Sequence, residues 1–214
     1  MITAGPTYEK IDPVRFIGNY SSGKMGFALA EACAQRGVLV TLIAGPVHLK
    51  TNHPNITRID VESAREMYQE CMMCFPQQDA AILCAAVADY RPETQATQKI
   101  KRTGDDLVIR LVPNPDIAAS LGAISTDKQT LVGFALETND AMEHAIDKMK
   151  RKRLDFIVLN SLQNAGAGFQ VDTNQITIIE KNGTKTDFPL KLKSEVASDI
   201  VEKLLEIIAQ KIHV

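Results

Sequence analysis

The chain has 214 residues, of which 45% are hydrophobic and 23% are charged, and its formal net charge at pH 7 is −2. This length suits one sizeable core, and the charge gives no electrostatic reason to expect nucleic acid or an anionic membrane as a partner. Aromatic residues make up only 5%, which leaves little material for stacking on bases. The sequence has no apolar run of membrane-spanning length and no signal-peptide pattern, so we expect a cytoplasmic protein.

The four cysteines predict core packing. Cys33, Cys71, Cys74 and Cys84 all fall in apolar, periodic segments. Cys71 and Cys74 have the C-x-x-C spacing, but a redox or zinc role would need a helix start or a second ligand pair beside them. The four histidines are scattered along the chain. We therefore predict no metal ligands.

In the amino-terminal half, short apolar runs alternate with amphipathic ones. The runs predict strands over residues 1–4, 38–44, 56–61 and 80–87. One helix is predicted over 22–36, because Gly37 is a typical carboxyl-terminal signal. A second helix runs from Ser63 to about residue 75, and Glu66 completes a capping box with Ser63.

The carboxyl-terminal half continues the alternation. It predicts strands over 107–112, 130–136 and 156–159, a short helix over 115–121 with Pro115 in its first turn, and a helix capped by Asn139 that ends in the basic run 148–153. Asn182-Gly183 predicts a hairpin between 175–180 and 185–190, and a helix over 194–212 closes the chain. This order predicts a single α/β domain, 1–214, with a doubly wound, Rossmann-like and mostly parallel sheet.

In a sheet of this kind, ligands bind beyond the carboxyl ends of the strands, near the point where the strand order reverses. Four predicted strand exits are rich in polar residues and glycine: 5–22, 88–102, 134–139 and 160–168. We expect these segments to surround the functional site.

The stretch GNYSSGKM, residues 18–25, comes close to a phosphate-binding P-loop. Met25 stands where that motif needs a hydroxyl for magnesium, and a long segment separates the stretch from the first strand, so we do not interpret it as a P-loop. Ser21, Ser22 and Gly23 precede an apolar helix, where N–H groups and hydroxyls favour an anion. The simpler alternative is that Ser22 caps the helix.

Several motifs together carry a family resemblance. They are GPTYEKIDPVR (5–15), NYSSGKMG (19–26), AAVADYRP (85–92), KIK (99–101), NPDI (114–117) and GFALET (133–138). In this order, and over essentially the whole chain, they resemble phosphopantothenoylcysteine synthetase of coenzyme A biosynthesis.

The resemblance implies an activity and its substrates. The family activates the carboxylate of phosphopantothenate with a nucleoside triphosphate, releases pyrophosphate, and joins the acyl group to the amine of cysteine. Blocks 85–92 and 99–101 resemble the bacterial members, which use CTP, and magnesium is expected to accompany the triphosphate. Family members are homodimers that complete their sites across the interface. In many bacteria a flavin-dependent decarboxylase precedes the synthetase, so we expect this chain to be an excised synthetase domain that holds no flavin itself.

The resemblance also implies residue roles. Asn19 matches the catalytic asparagine, whose neutral amide can donate to acyl-phosphate oxygens without protonating the amine. Lys99 matches a nucleotide-binding lysine at the reacting phosphates, and Asp89 is expected to accept from the ribose or the base. Phosphopantothenate is expected at Asn19, Ser21 and Ser22. The remaining nucleotide contacts are expected from Leu83, Cys84, Ala85, Pro115, Asp116, Ile117, Ala118, Phe134, Lys148 and Lys152.

Two other functions remain open from the sequence. A nicotinamide-dependent reductase would need a glycine fingerprint after the first strand and a Tyr-x-x-x-Lys pair. A non-catalytic nucleotide-binding module would bind CTP without releasing pyrophosphate. We also expect the polar loop 92–104 to be mobile until nucleotide binds.

Overall fold

The computed structural model describes residues 1–102, 104, 106–137, 141–161 and 171–212. In chain order its strands are β1 (Ile2–Ala4), β2 (Tyr8–Lys10), β3 (Phe16–Gly18), β4 (Val40–Ala44), β5 (Ile56–Asp60), β6 (Ala80–Leu83), β7 (Tyr90–Pro92), β8 (Leu111–Pro113), β9 (Thr130–Glu137), β10 (Phe156–Ser161), β11 (Thr173–Asn174), β12 (Ile176–Glu180), β13 (Lys185–Asp187) and β14 (Lys191–Leu192). The helices are α1 (Lys24–Gln35), α2 (Ala64–Cys74), α3 (Ile117–Ile124), α4 (Ala141–Arg151) and α5 (Lys193–Ile212), and a short 3₁₀ helix, Phe75–Gln77, follows α2.

The main sheet has eight strands in the order β13-β12-β10-β9-β6-β1-β4-β5. The six strands from β10 to β5 are parallel, and β12 and β13 extend the sheet in antiparallel fashion. The chain winds outward from β1 in both directions, so the predicted doubly wound α/β fold is confirmed. Its switch point lies between β1 and β6, where a ligand crevice is expected.

Each face of the sheet packs against its own helices. Alternate strand residues such as Ile2, Val132 and Val158 face α1 and α5. Their neighbours in sequence, such as Leu131 and Ile157, face α2, α3 and α4. This division follows from the period of two along each strand, which sends successive side chains to opposite faces. None of the described helices combines the length and the apolar character that a membrane crossing requires.

Two predicted strands were wrong in extent. The run 80–87 is a strand only as far as Leu83, because the N–H of Ala85 donates to the hydroxyl of Thr3 at 3.2 Å instead of continuing the ladder. The run 107–112 contributes only β8, which pairs antiparallel with β7 outside the main sheet. Both runs are apolar enough for a strand, but the side-chain hydrogen bonds of the crevice end the first of them.

Helix starts also differ from prediction. Gly23, with φ 77°, is the residue before α1 and makes no side-chain cap, so the helix begins two residues later than the predicted 22 and the alternative of a Ser22 cap was wrong. Pro115 lies outside α3, which Asp116 caps by accepting from the N–H of Ala119 at 3.0 Å.

Other local signals were confirmed. Ser63 and Glu66 form the capping box of α2, and Gly183, with φ 90°, lies in the turn between β12 and β13. The predicted Asn139 cap and the loop 164–168 lie outside the described residues.

Candidate active site

Two adjoining cavities open at the carboxyl ends of the central strands. The first has a volume of about 420 Å³ and the second about 450 Å³. Both are lined by the same five residues, Ala85, Val87, Asp89, Phe134 and Lys148. We call these five residues the shared wall. Ala85, Val87 and Asp89 follow β6, while Phe134 lies in β9 and Lys148 in α4, so the site lies at the crevice that the sheet topology predicts.

The first cavity gathers most of the residues that the sequence assigns to the nucleotide. Those lining it are Leu83, Ala85, Asp89, Pro115, Asp116, Ile117, Ala118, Phe134, Lys148 and Lys152. They come from four separate segments, which shows that the motifs converge in space. One expected donor is already engaged: the N–H of Ala85 is bonded to Thr3, so this group would have to leave that bond to meet a phosphate.

The second cavity gathers the residues assigned to phosphopantothenate. Asn19, Ser21 and Ser22 line it, as does Cys84, which the sequence placed at the nucleotide. Burial raises the pKa of the Cys84 thiol to about 12, so at neutral pH the side chain is a thiol and not a thiolate.

Asn19 lies at the mouth of the second cavity. Its side-chain nitrogen donates to the carbonyl of Ala86 at 2.9 Å, and Ala86 adjoins the shared wall in sequence. Asn19 follows β3 and is exposed. The amide is therefore held beside the boundary between the two cavities while remaining accessible to a ligand.

The start of α1 forms one side of the second cavity. The hydroxyl of Ser21 accepts from the N–H of Gly23 at 3.4 Å, and Lys24 lies 2.5 Å from the carboxylate of Asp172. Gly26 brings the helix against β1, since a Cβ added there would meet the Cβ of Ala4 at 2.5 Å. The helix start thus places its positive dipole end and a lysine at the cavity, which favours an anion.

The basic side of α4 reaches the first cavity. Lys148 lies in the last turn of α4 and Lys152 just past its end, where its N–H still donates to the carbonyl of Lys148 at 3.0 Å, and both line this cavity. The ammonium of Lys148 donates to the carbonyl of Phe134 at 2.9 Å, and that of Lys152 lies 2.9 Å from the carboxylate of Asp116. Partial burial raises the pKa of Asp116, but the hydrogen bonds from Lys152 and Ala119 outweigh it and hold the pKa below its usual value.

Lys99 is exposed and does not line either cavity. The adjacent Ile100 is fastened to the ribbon of β2 and β3: its N–H donates to the carboxylate of Asp12 at 3.1 Å, and its carbonyl accepts from Arg15 at 2.8 Å. Asp12 is buried, which raises its pKa, but hydrogen bonds from Arg15 and from backbone N–H groups hold the pKa well below the usual range. The role assigned to Lys99 stays a prediction.

Sequence reasoning missed three polar residues of the second cavity, namely Lys193, Asn174 and Asn160. Lys193 is only 7% exposed, and its ammonium donates to the carbonyl of Val171 at 2.6 Å. Burial and the charge of Lys24 lower its pKa. A signal was present in the sequence, because Lys193 falls on the same helix stripe as the buried Val196, Ala197 and Ile200.

The described residues offer no cluster of three or more histidine, cysteine or acidic side chains that could hold a metal ion. Asp89 and Asp116 both line the first cavity, but they do not form such a cluster.

Comparison with known proteins identifies relatives. A family model described as "DNA/pantothenate metabolism flavoprotein C-terminal domain" matches residues 1–208. The chain is 54% identical over 207 residues, 97% of its length, to a protein from an unknown prokaryotic organism named "Cysteine/Cysteine sulfinic acid decarboxylase", and covers 58% of that protein. It is 50% identical over 205 residues to "Coenzyme A biosynthesis bifunctional protein CoaBC" of Haemophilus influenzae, covering 96% of this chain and 50% of that one.

A solved structure, "Crystal structure of the C-terminal Domain of Coenzyme A biosynthesis bifunctional protein CoaBC", superposes with a TM-score of 0.83 at 39% identity. The match covers 98% of this chain and 94% of that one. The chain thus spans between half and three fifths of the two curated relatives above, but nearly all of this separately solved domain.

Proposed function

We propose that this chain, which belongs to the DNA/pantothenate metabolism flavoprotein C-terminal domain family, is a phosphopantothenate–cysteine ligase that uses CTP. The observation that carries the proposal is the pair of cavities that meet at the shared wall. Most motif residues expected to bind nucleotide line one cavity, and those expected to bind phosphopantothenate line the other. The names of relatives that are 45–50% identical support a role in coenzyme A biosynthesis.

The chemistry that we propose has two steps. A carboxylate oxygen of phosphopantothenate attacks the α-phosphorus of CTP; a P–O bond forms there as the bond to pyrophosphate breaks. The amine nitrogen of cysteine then attacks the acyl carbon of this acyl-cytidylate. A C–N bond forms, the C–O bond to CMP breaks with CMP keeping the electron pair, and the amine proton is lost to solvent. The intermediate would lie across the shared wall, with one half in each cavity.

Asn19 is suited to both steps. Its amide lies at the boundary of the cavities and can donate to oxygens that gain negative charge, without giving up a proton to the amine. Lys148 and Lys152 would offset the charge of the triphosphate, and Asp89 would bind the ribose or the base. Lys99 would join the reacting phosphates if the segment fastened at Ile100 closes over the first cavity.

We propose that the chain works as a homodimer. Five large side chains near the two small antiparallel ribbons, β2–β3 and β7–β8, are exposed: Val14, Phe16, Tyr20, Tyr90 and Val108. Apolar groups exposed together mark an interaction surface. Val108→Asp should shift sedimentation toward a monomer and reduce ligation. A wild type that sediments as a monomer at micromolar concentration would rule out the homodimer.

We also propose that ligation is coupled to a flavin-dependent decarboxylase in a longer protein. The curated relatives extend well beyond the match, which leaves room for such a part. The decarboxylase name of one relative describes that whole protein, of which 58% is matched here. The isolated chain tests whether the two activities are separate. Given phosphopantothenate, cysteine and CTP, it should accumulate phosphopantothenoylcysteine without releasing carbon dioxide.

The decisive measurement is release of pyrophosphate from CTP with phosphopantothenate present and cysteine omitted. We expect release that depends on phosphopantothenate, and amide formation once cysteine is added. Release with ATP and not with CTP would keep the ligase and change the nucleotide. Binding of CTP without release of pyrophosphate from either nucleotide would instead indicate a non-catalytic binding module.

A further inference from the structure

One end of the second cavity contains a buried ammonium and a buried amide side by side. Lys193 is 7% exposed and Asn174 is 1% exposed, and both line the cavity. Strand β11 pairs with β14 so that Asn174 lies opposite Lys191, and the N–H of Lys193 donates to the carbonyl of Asp172 at 2.9 Å. The bond between Lys193 and Asp172 extends the β11–β14 ladder by one residue pair. Asn174 and Lys193 are therefore diagonal neighbours on this ribbon.

The amide oxygen of Asn174 is buried and finds no hydrogen-bond partner among the described residues, and the same holds for Asn160, which lines the same cavity. A buried acceptor without a donor destabilises the fold, so native proteins rarely retain one without a reason. Asn160 belongs to β10 and Asn174 to β11, so two independent elements direct such an oxygen to the same space. A ligand that brings N–H donors would satisfy both.

The same end of the cavity is positively charged. Lys24 and Lys193 both line it; Lys24 is paired with the carboxylate of Asp172 at 2.5 Å, and burial together with the charge of Lys24 lowers the pKa of Lys193. The amino-terminal ends of α1 and α5 lie at this end as well, since Lys24 and Lys193 are their first residues. A negative group is therefore favoured beside the two amide oxygens.

We propose that Lys193, Asn174 and Asn160 form the subsite for the incoming amino acid, an inference that rests on the ligase function proposed above. The ammonium of Lys193 binds the α-carboxylate of cysteine, and the amide oxygens accept hydrogen bonds from its α-amine. A phosphate group presents acceptors only and would leave both amide oxygens unsatisfied, whereas an amino acid presents an anion and a donor together. The two neighbouring ammonium groups also favour the unprotonated amine, the form that attacks.

The test compares cysteine with cysteamine, which carries the same amine and thiol but no carboxylate. Lys193→Gln should raise KM for cysteine about tenfold or more, since a hydrogen bond between two charged groups is lost, and should leave KM for cysteamine within about twofold. Lys191→Gln is the matched control. Lys191 lies on the same ribbon, is paired with Asp199 at 2.8 Å and lines neither cavity, so cysteine KM should not change.

A second variant avoids the risk that a buried lysine cannot be replaced. Asn174→Leu has nearly the same shape and removes an unpaired oxygen, so it should keep or raise the melting temperature while raising KM for cysteine about threefold or more. A structural role for Asn174 would instead lower the melting temperature and leave this KM unchanged, which would overturn the proposal.

Two further results are decisive. If Lys193→Gln raises KM for phosphopantothenate in the cysteine-free release of pyrophosphate, or weakens cysteine and cysteamine equally, the subsite does not bind the cysteine carboxylate. Wild type that releases no pyrophosphate would overturn the ligase function itself. Normal release with an unchanged cysteine KM in both variants would overturn only the subsite.

Discussion

The hydroxyl of Thr7 accepts a hydrogen bond from the N–H of Ala88 at 2.9 Å, joining two buried residues that are 81 positions apart in the chain. Four residues earlier, in β1, the hydroxyl of Thr3 accepts a hydrogen bond from the N–H of Ala85 in the same way. These two hydroxyls fasten the exit of β6 to the exit of β1. The shared wall between the cavities therefore depends on two threonines, of which Thr3 also lines the first cavity and Thr7 lines neither.

Thr7→Val should lower the free energy of unfolding by about 1–3 kcal/mol, because it keeps the shape of the side chain but leaves the buried N–H of Ala88 without a partner. KM for CTP should rise as well, because Asp89, which is expected to bind the ribose or the base, directly follows Ala88. Denaturant unfolding and steady-state kinetics measure the two effects. Thr177→Val is the control: its hydroxyl bonds Asp187 at an exposed site, and its effect should stay within about 0.5 kcal/mol. Equal losses in both variants would contradict the proposed role of Thr7.

Lys152→Met should raise KM for CTP about tenfold, because the ammonium faces the first cavity and loss of a charged contact to phosphate is worth about that factor. Lys150→Met removes an equal charge two residues away, in α4 and outside this cavity, and should change KM less than about twofold. If both variants weaken CTP equally, the effect comes from the overall charge of α4 and not from a contact in the site.

The carboxylate of Asp116 should make stability depend on pH in the acid range. Its folded pKa lies below the unfolded value of 3.8, so the stabilisation is fully present above that value and is lost as pH falls through the folded pKa. Asp116→Asn keeps the helix cap but not the charge, and should cost at most about 1 kcal/mol at pH 7 because the group is half exposed. The difference between wild type and variant should shrink at about pH 3. A difference that is independent of pH would exclude the ion pair as its cause.

Gly26→Ala should destabilise the fold by about 1–3 kcal/mol, because the added methyl group would overlap Ala4 on β1. Combining it with Ala4→Gly removes the atom that lies 2.5 Å away and should restore part of the loss. The double-mutant cycle in denaturant therefore measures the helix–strand contact directly. Strictly additive losses would mean that the methyl group is accommodated elsewhere.

Local signals in the sequence predicted local structure well. The capping box of Ser63 and Glu66 and the turn at Asn182-Gly183 depend only on neighbours in sequence, and both were confirmed. The strand predicted over 80–87 failed because the bond that ends it comes from Thr3, which is far away in the chain.

The candidate site shows the same division between local and distant information. Motifs identified most of the two cavities, because a family resemblance carries long-range information in short blocks. Lys193 was missed because a lysine at a helix start normally reaches solvent, although its position falls on the same helix stripe as the buried Val196, Ala197 and Ile200. The position of Lys193 diagonal to Asn174 depends on the register of β11 and β14, which no local pattern specifies.

The fastening of Ile100 to Asp12 and Arg15 has a thermodynamic consequence. The ribbon that holds Ile100 continues directly into Asn19, so the segment carrying Lys99 and the segment carrying the amide at the second cavity are parts of one connected piece of chain. If CTP draws the first segment inward and this changes the affinity for phosphopantothenate by some factor, then phosphopantothenate changes the affinity for CTP by the same factor. Releasing the connection with Asp12→Asn should bring that factor close to one, so that each substrate binds without regard to the other.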